Sequence, residues 1–103
     1  MLDARACAEA CEALLEAVRG ELDTETSERL VAALAGPAAV SRVLIDLVDR
    51  PSLLLACASV CRDTARAAVG ELDVLELPVD ASEARGALLA AAESCDRLLD
   101  AAG

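Results

Sequence analysis

The sequence predicts an all-α protein, an antiparallel four-helix bundle whose second helix is kinked or broken at Gly36-Pro37. Apolar residues recur at helical spacing in four segments, and no segment shows the period-two alternation of a half-buried strand. Between the segments stand Gly, Pro, Thr and Asp, the residues that start and stop helices. A chain of 103 residues that is 56% apolar and 27% charged is expected to fold as one domain, residues 1–103, rather than stay disordered.

The first helix is expected from about Leu2 to Arg19. Cys7, Cys11, Leu14, Leu15 and Val18 form its inward stripe, Arg5, Glu9, Glu12 and Glu16 its wet face, and Gly20 its stop. A second helix follows a cap at Thr24 or Thr26 and carries Leu30, Val31 and Leu34. Pro37 cannot donate an amide to the helical ladder, so a kink, or a stop and restart, is expected there. The apolar pattern resumes through Val40, Val43, Leu44, Leu47 and Val48 to Arg50. Pro51 opens the third helix after a very tight join, with Leu54, Cys57, Cys61, Thr64 and Ala68 on one face and an end at Gly70. A connector containing Pro78 leads to a cap at Asp80 or Ser82. The fourth helix then turns Leu88, Ala91, Ala92, Cys95, Leu98, Leu99 and Ala102 inward. The stretch "VLELPV" could extend as a strand but would have no partner to pair with. Four helices on short links favour an antiparallel bundle.

What the chain lacks narrows its chemistry. It contains no Phe, Tyr, Trp, His, Lys, Asn or Gln, and every cationic side chain is Arg, a pattern that fits a GC-rich coding sequence. The core must be built of Leu, Val, Ala and Cys, small enough for helices to approach closely. A formal charge of −10 and the lack of aromatic stacking surfaces argue against nucleic-acid binding. Without His or Lys there is no Ser-His or Cys-His pair, no Schiff-base lysine and no imidazole ligand, so an enzyme is not expected. The acidic faces read as solvated surface, and the missing Glu-x-x-His pairs argue against a carboxylate di-iron site. The N-terminus lacks the apolar core of a secretory signal, and no run reaches the roughly 20 apolar residues of a membrane span. The expectation is a cytoplasmic protein with reduced thiols and no membrane partner.

Five cysteines carry the functional question. Residues four apart on a helix lie about 6 Å apart along one face. Cys7 and Cys11, and likewise Cys57 and Cys61, should therefore send their sulfurs the same way, inward, with Cys95 on the core stripe of the last helix. Two thiolates on adjacent turns suit a soft ion, Cu(I) first and Zn second. If the first and third helices are neighbours, the two pairs could close a four-sulfur site. The competing reading is packing, because a free cysteine behaves as a small, readily buried hydrophobe. Thiol-disulfide exchange ranks third: the arginines next to Cys7 and Cys61 in sequence do not share their helix faces, and a disulfide at i, i+4 is strained.

"LLACASVCRDTARAAV", "ACAEACEALLEAV" and "AAAESCDRLLDAAG" resemble the cysteine-lined helices of the bacterial copper storage proteins, four-helix bundles whose inward C-x-x-x-C repeats hold many Cu(I) ions. The resemblance covers these three helices and implies that Cys7, Cys11, Cys57, Cys61 and Cys95 are metal-binding thiolates. Leu14, Val18, Leu54, Ala91, Leu98 and Ala102 stand where that pattern would place further cysteines. A small number of Cu(I) ions is therefore expected, not a storage load. The alternative is a metal-free structural or interaction module. Finally, "LVAALAGPAAV" spreads apolar residues widely around its helix, which points to a homodimer packed through Leu30 to Val48.

Overall fold

The computed structural model describes residues 2–102, with the side chain of Leu2 left aside. Four helices make up the fold: α1 (Leu2–Ala17), α2 (Thr24–Asp46), α3 (Pro51–Val74) and α4 (Ser82–Ala102). Each packs on its neighbours in sequence, and α4 returns to α1, so the four seams close a ring in which α1 and α3, and α2 and α4, face each other across diagonals. At about 1.5 Å per residue the 24 residues of α3 span about 36 Å, most of the bundle's 42 Å long axis. Among the described residues no strand forms, and "VLELPV" is split between the end of α3 and the connector.

The helix ends follow side-chain chemistry. α1 stops at Ala17, two residues before the expected Arg19, and Gly20 takes the left-handed conformation (φ 78°) that closes the turn. α2 is capped by Asp23 instead of Thr24 or Thr26: its Oδ1 accepts from the Thr26 amide at 2.7 Å. A carboxylate also complements the positive end of the helix dipole, which a threonine hydroxyl cannot. Pro51 occupies the first turn of α3, as its missing amide allows. Before α4, Asp80 accepts from the Ser82 amide at 2.9 Å.

Two expected breaks do not occur. α2 continues without interruption from Thr24 to Asp46, so the stop and restart at Gly36-Pro37 is not taken, although Pro37 still leaves the Ala33 carbonyl without its helical donor. Pro37 is buried, and packing keeps the helix together. α3 likewise passes through Gly70 to Val74, because Val69 and Leu72 on either side of the glycine are buried in the core and hold the last turn down.

The inward faces are set by small residues. On α2 the buried stripe is Leu30, Leu34, Pro37, Ser41 and Leu44, a spacing of four, three, four and three. Val31, Val43 and Val48, expected inside, lie about half exposed, the first two because they fall beside that stripe and Val48 because it lies in the turn after α2 ends. On α3 the buried positions are Ala58, Cys61, Ala65, Ala68, Val69 and Leu72, which leaves Leu54, Cys57 and Thr64 on the flank. On α4, Leu88, Ala91, Ala92 and Cys95 are buried, Leu98 and Leu99 partly so, and Ala102 is exposed. No helix among the described residues is long and apolar enough to cross a membrane.

Gly36 faces α3, where an added Cβ would meet Thr64 Cγ2 at 3.7 Å, an ordinary contact. Nothing at this helical position requires a glycine. Gly36→Ala should stabilise the fold by about 0.5 to 1 kcal/mol by reducing unfolded-chain entropy. Urea unfolding followed by circular dichroism checks it, and a lower midpoint would show that the Thr64 contact is not free.

Candidate metal centre

Four of the five thiols lie on the bundle interior. Cys7, Cys11 and Cys61 have no exposure and Cys95 only 1%, whereas Cys57 is half-buried. Cys7 and Cys11 sit where α1 faces the larger core cluster, with Leu14, Leu34 and Leu88. Cys61 and Cys95 belong to a second, smaller cluster with Ala4, Leu44 and Ala58.

The pairing differs from the one the spacing suggests. Cys7 and Cys11, one turn apart on α1, shift each other's acidity. Cys61, however, shares a buried cluster with Cys95 of α4, and the two shift each other's acidity, whereas Cys57 is only partly buried at the edge of that cluster. The Cys57 thiol turns towards the Val40 carbonyl at 3.7 Å and lies on the α2–α3 flank. The cause is rotational. The buried face of α3 centres on Ala58, Cys61, Ala65 and Ala68, one step around from the face that would hold both thiols.

Between the two pairs stands Ser41, the one buried polar side chain among the described residues. Its Oγ lies 3.6 Å from Cys61 Sγ, and it also helps lower the Cys7 pKa. The serine therefore bears on an α1 thiol and an α3 thiol across the diagonal. Its signal in the sequence was a hydroxyl at a core position of α2, four residues after Pro37 and three before Leu44. That position was hidden because the apolar pattern appeared to run through Val40 and Val43.

Each pair splits its acidities. Hydrogen bonds from Cys95 and, more weakly, Ser41 hold the Cys61 thiol down at about 6, against burial, which pushes it up. Cys95 is driven far above the ordinary thiol range because its proton is engaged by Cys61, with burial and the Cys61 charge adding to the effect. Cys7 is lowered by Cys11 and by Ser41, and Cys11 is raised in return. Burial, then the nearby Cys61 charge, pushes Cys57 up. In each pair one thiol is thus lowered and its neighbour raised.

That donor set is two-by-two. Among the described residues no three His, Cys, Asp or Glu side chains are grouped to hold one ion. The four-sulfur closure imagined for adjacent first and third helices has no seam to form on, since α1 and α3 are diagonal. Two sulfurs per site suit a soft, low-coordinate ion better than a tetrahedral one. No family model, curated protein or solved structure matches this chain.

The acidities give stability a defined pH course. Between about 6 and the ordinary thiol value near 9, unfolded Cys61 is protonated and folded Cys61 is not, so stability rises with pH through this window and is lost as pH falls through 6. Above 9 the sign reverses, because unfolded Cys11, Cys57 and Cys95 ionise while the folded thiols keep their protons. In the reduced protein, the ultraviolet thiolate band should show a step near pH 6 that Cys61→Ser abolishes. A titration with no step below the ordinary thiol range would contradict the pairing.

Proposed function

We propose that the protein binds a small number of Cu(I) ions, one at the Cys7–Cys11 pair and one at the Cys61–Cys95 pair. The observation that carries this reading is that four buried thiols fall two by two into the two core clusters, with one thiol of each two lowered by its neighbour. Soft thiolates select Cu(I), and binding releases the protons that each pair still holds. Ser41 Oγ, 3.6 Å from Cys61 Sγ, can supply one hydrogen bond to that sulfur while no metal is present. A reducing cytosol is the setting this chemistry needs, since the same pairs in an oxidising compartment would be lost to disulfides. In this reading Cys57, half-buried on the α2–α3 flank, belongs to neither site.

Anaerobic titration of the reduced protein with Cu(I) against a competing chelator should reveal two tight equivalents. Cys61→Ser with Cys95→Ser should remove one, Cys7→Ser with Cys11→Ser the other, and Cys57→Ser neither. If the protein carrying all four axial substitutions retains as much copper as the parent, the thiols are core filler and the protein is a metal-free structural or interaction module.

We propose in addition that two copies meet along the α2–α3 flank. Val40, Val43, Leu47, Leu53, Cys57 and Val60 line a groove there to which no charged side chain contributes, and Val43, Leu53 and Val60 are about half exposed. On a chain of net charge −10 a second copy is repelled almost everywhere, so a face free of carboxylates is where two copies approach at least electrostatic cost. Light scattering should give twice the 10.5 kDa chain mass, reverting to the monomer in Val43→Glu. A monomeric parent at near-millimolar concentration overturns the dimer.

A further inference from the structure

The thiol pairs differ in how they communicate with solvent. A cavity of about 480 Å³ opens at the α1–α4 seam. Its lining divides by depth: Asp3, Ser94 and Arg97 retain exposure, while Ala91 and Cys95 are 2% and 1% exposed and form its floor. The three polar residues are tied together across the seam. Ser94 Oγ donates to Asp3 Oδ2, and an Arg97 nitrogen donates to Ser94 Oγ at 3.1 Å and lies 3.9 Å from the same Asp3 oxygen. Four other cavities among the described residues are lined without Cys7, Cys11 or Cys61.

We infer that this cavity is the entry port of the thiol core, so that small, soft electrophilic ligands meet Cys95 first and reach Cys61, Ser41 and the α1 pair only through it. For the copper reading, on which this part of the inference rests, the incoming ion is Cu(I) held by a small thiolate carrier. One carrier–copper bond is exchanged for a Cys95 Sγ–copper bond, the Cys95 proton leaves to water in the cavity, and the released carrier thiolate departs by the mouth. Copper stays Cu(I) throughout. Cys61, in the same buried cluster as Cys95, then displaces the second carrier ligand, its proton leaving with the departing carrier thiolate. The polar mouth keeps the opening wet, and the apolar floor excludes anything larger or strongly hydrated.

The port can be tested without metal. Native, reduced protein is treated with N-ethylmaleimide, and each cysteine is followed by peptide mass spectrometry. Cys57, on its own groove, reacts independently, and Cys95 should be modified several-fold faster than Cys11, the other buried thiol whose proton is strongly held. Ala101→Trp, at the cavity wall on an exposed turn, should slow Cys95 several-fold, while Ala102→Trp, also exposed but outside the lining, should not. Equal rates for all four axial thiols would mean that access comes by opening of the whole bundle, and overturn the port. So would an Ala101→Trp protein with unchanged Cys95 reactivity. In the copper arm, Ala101→Trp should slow uptake and leave the final stoichiometry intact. A parent that takes up no copper defeats the proposed function alone, because the alkylation order still reads the port.

Discussion

Close approach of four helices through small side chains is the constraint on which everything else rests. With no aromatic residue in the chain, the interior is filled by Ala, Cys, Ser and a few Leu, and the inward stripe of α3 consists mainly of Ala58, Cys61, Ala65 and Ala68. Small residues let the helix axes come close enough for the Ser41 hydroxyl on α2 to reach the Cys61 thiol on α3. Larger side chains at these positions would separate the diagonal helices and leave the serine hydroxyl buried without a partner. As the chain stands, no buried side-chain nitrogen or oxygen among the described residues lacks one.

The leucines are distributed around that narrow axis. Leu30, Leu34, Leu44 and Leu88 are the largest fully buried side chains, and they separate the thiol level from the ends of the bundle. Two core clusters result, with one thiol pair in each and Ser41 between them. A buried thiol costs little to keep dry. A buried thiolate costs a good deal, and here the cost is offset by short-range hydrogen bonds from neighbouring S–H and O–H groups, since no cation is placed against it. An ion that supplies positive charge at the same place satisfies the same need more completely.

The surface is governed by a different rule. Arginine is the only cation, and it is used across seams: Arg42 pairs with Glu12 between α2 and α1, Arg29 with Glu71 between α2 and α3, Arg62 and Arg66 with Asp96 between α3 and α4, and Arg85 with Asp73 near the end of that seam. Exposed pairs of this kind are each worth little in stability. Their placement still biases which helices lie side by side, and it leaves the middle of the α2–α3 flank, from Val40 to Val60, without charge.

The sequence by itself determined the fold class, the number of helices and the burial of Cys7, Cys11, Cys61 and Cys95, because helical periodicity and the apolar stripe are local properties. The roles of Gly20 and Pro51 were legible for the same reason, as a left-handed turn and a first helical turn need no distant partner. Only the tertiary structure decided how far α2 and α3 extend. Burial of Pro37, Val69 and Leu72 outweighs the breaking tendency of Pro37 and Gly70, and that burial is supplied by other helices. It also decided the partnership of the thiols. Spacing four apart assigns Cys57 to Cys61, but a small rotation of α3, set by packing its alanines against its neighbours, moves Cys57 to the flank and brings Cys61 to Cys95 and Ser41. A helix's own sequence fixes which residues share a stripe only to within about one position, and the helices packed against it choose the centre of that stripe.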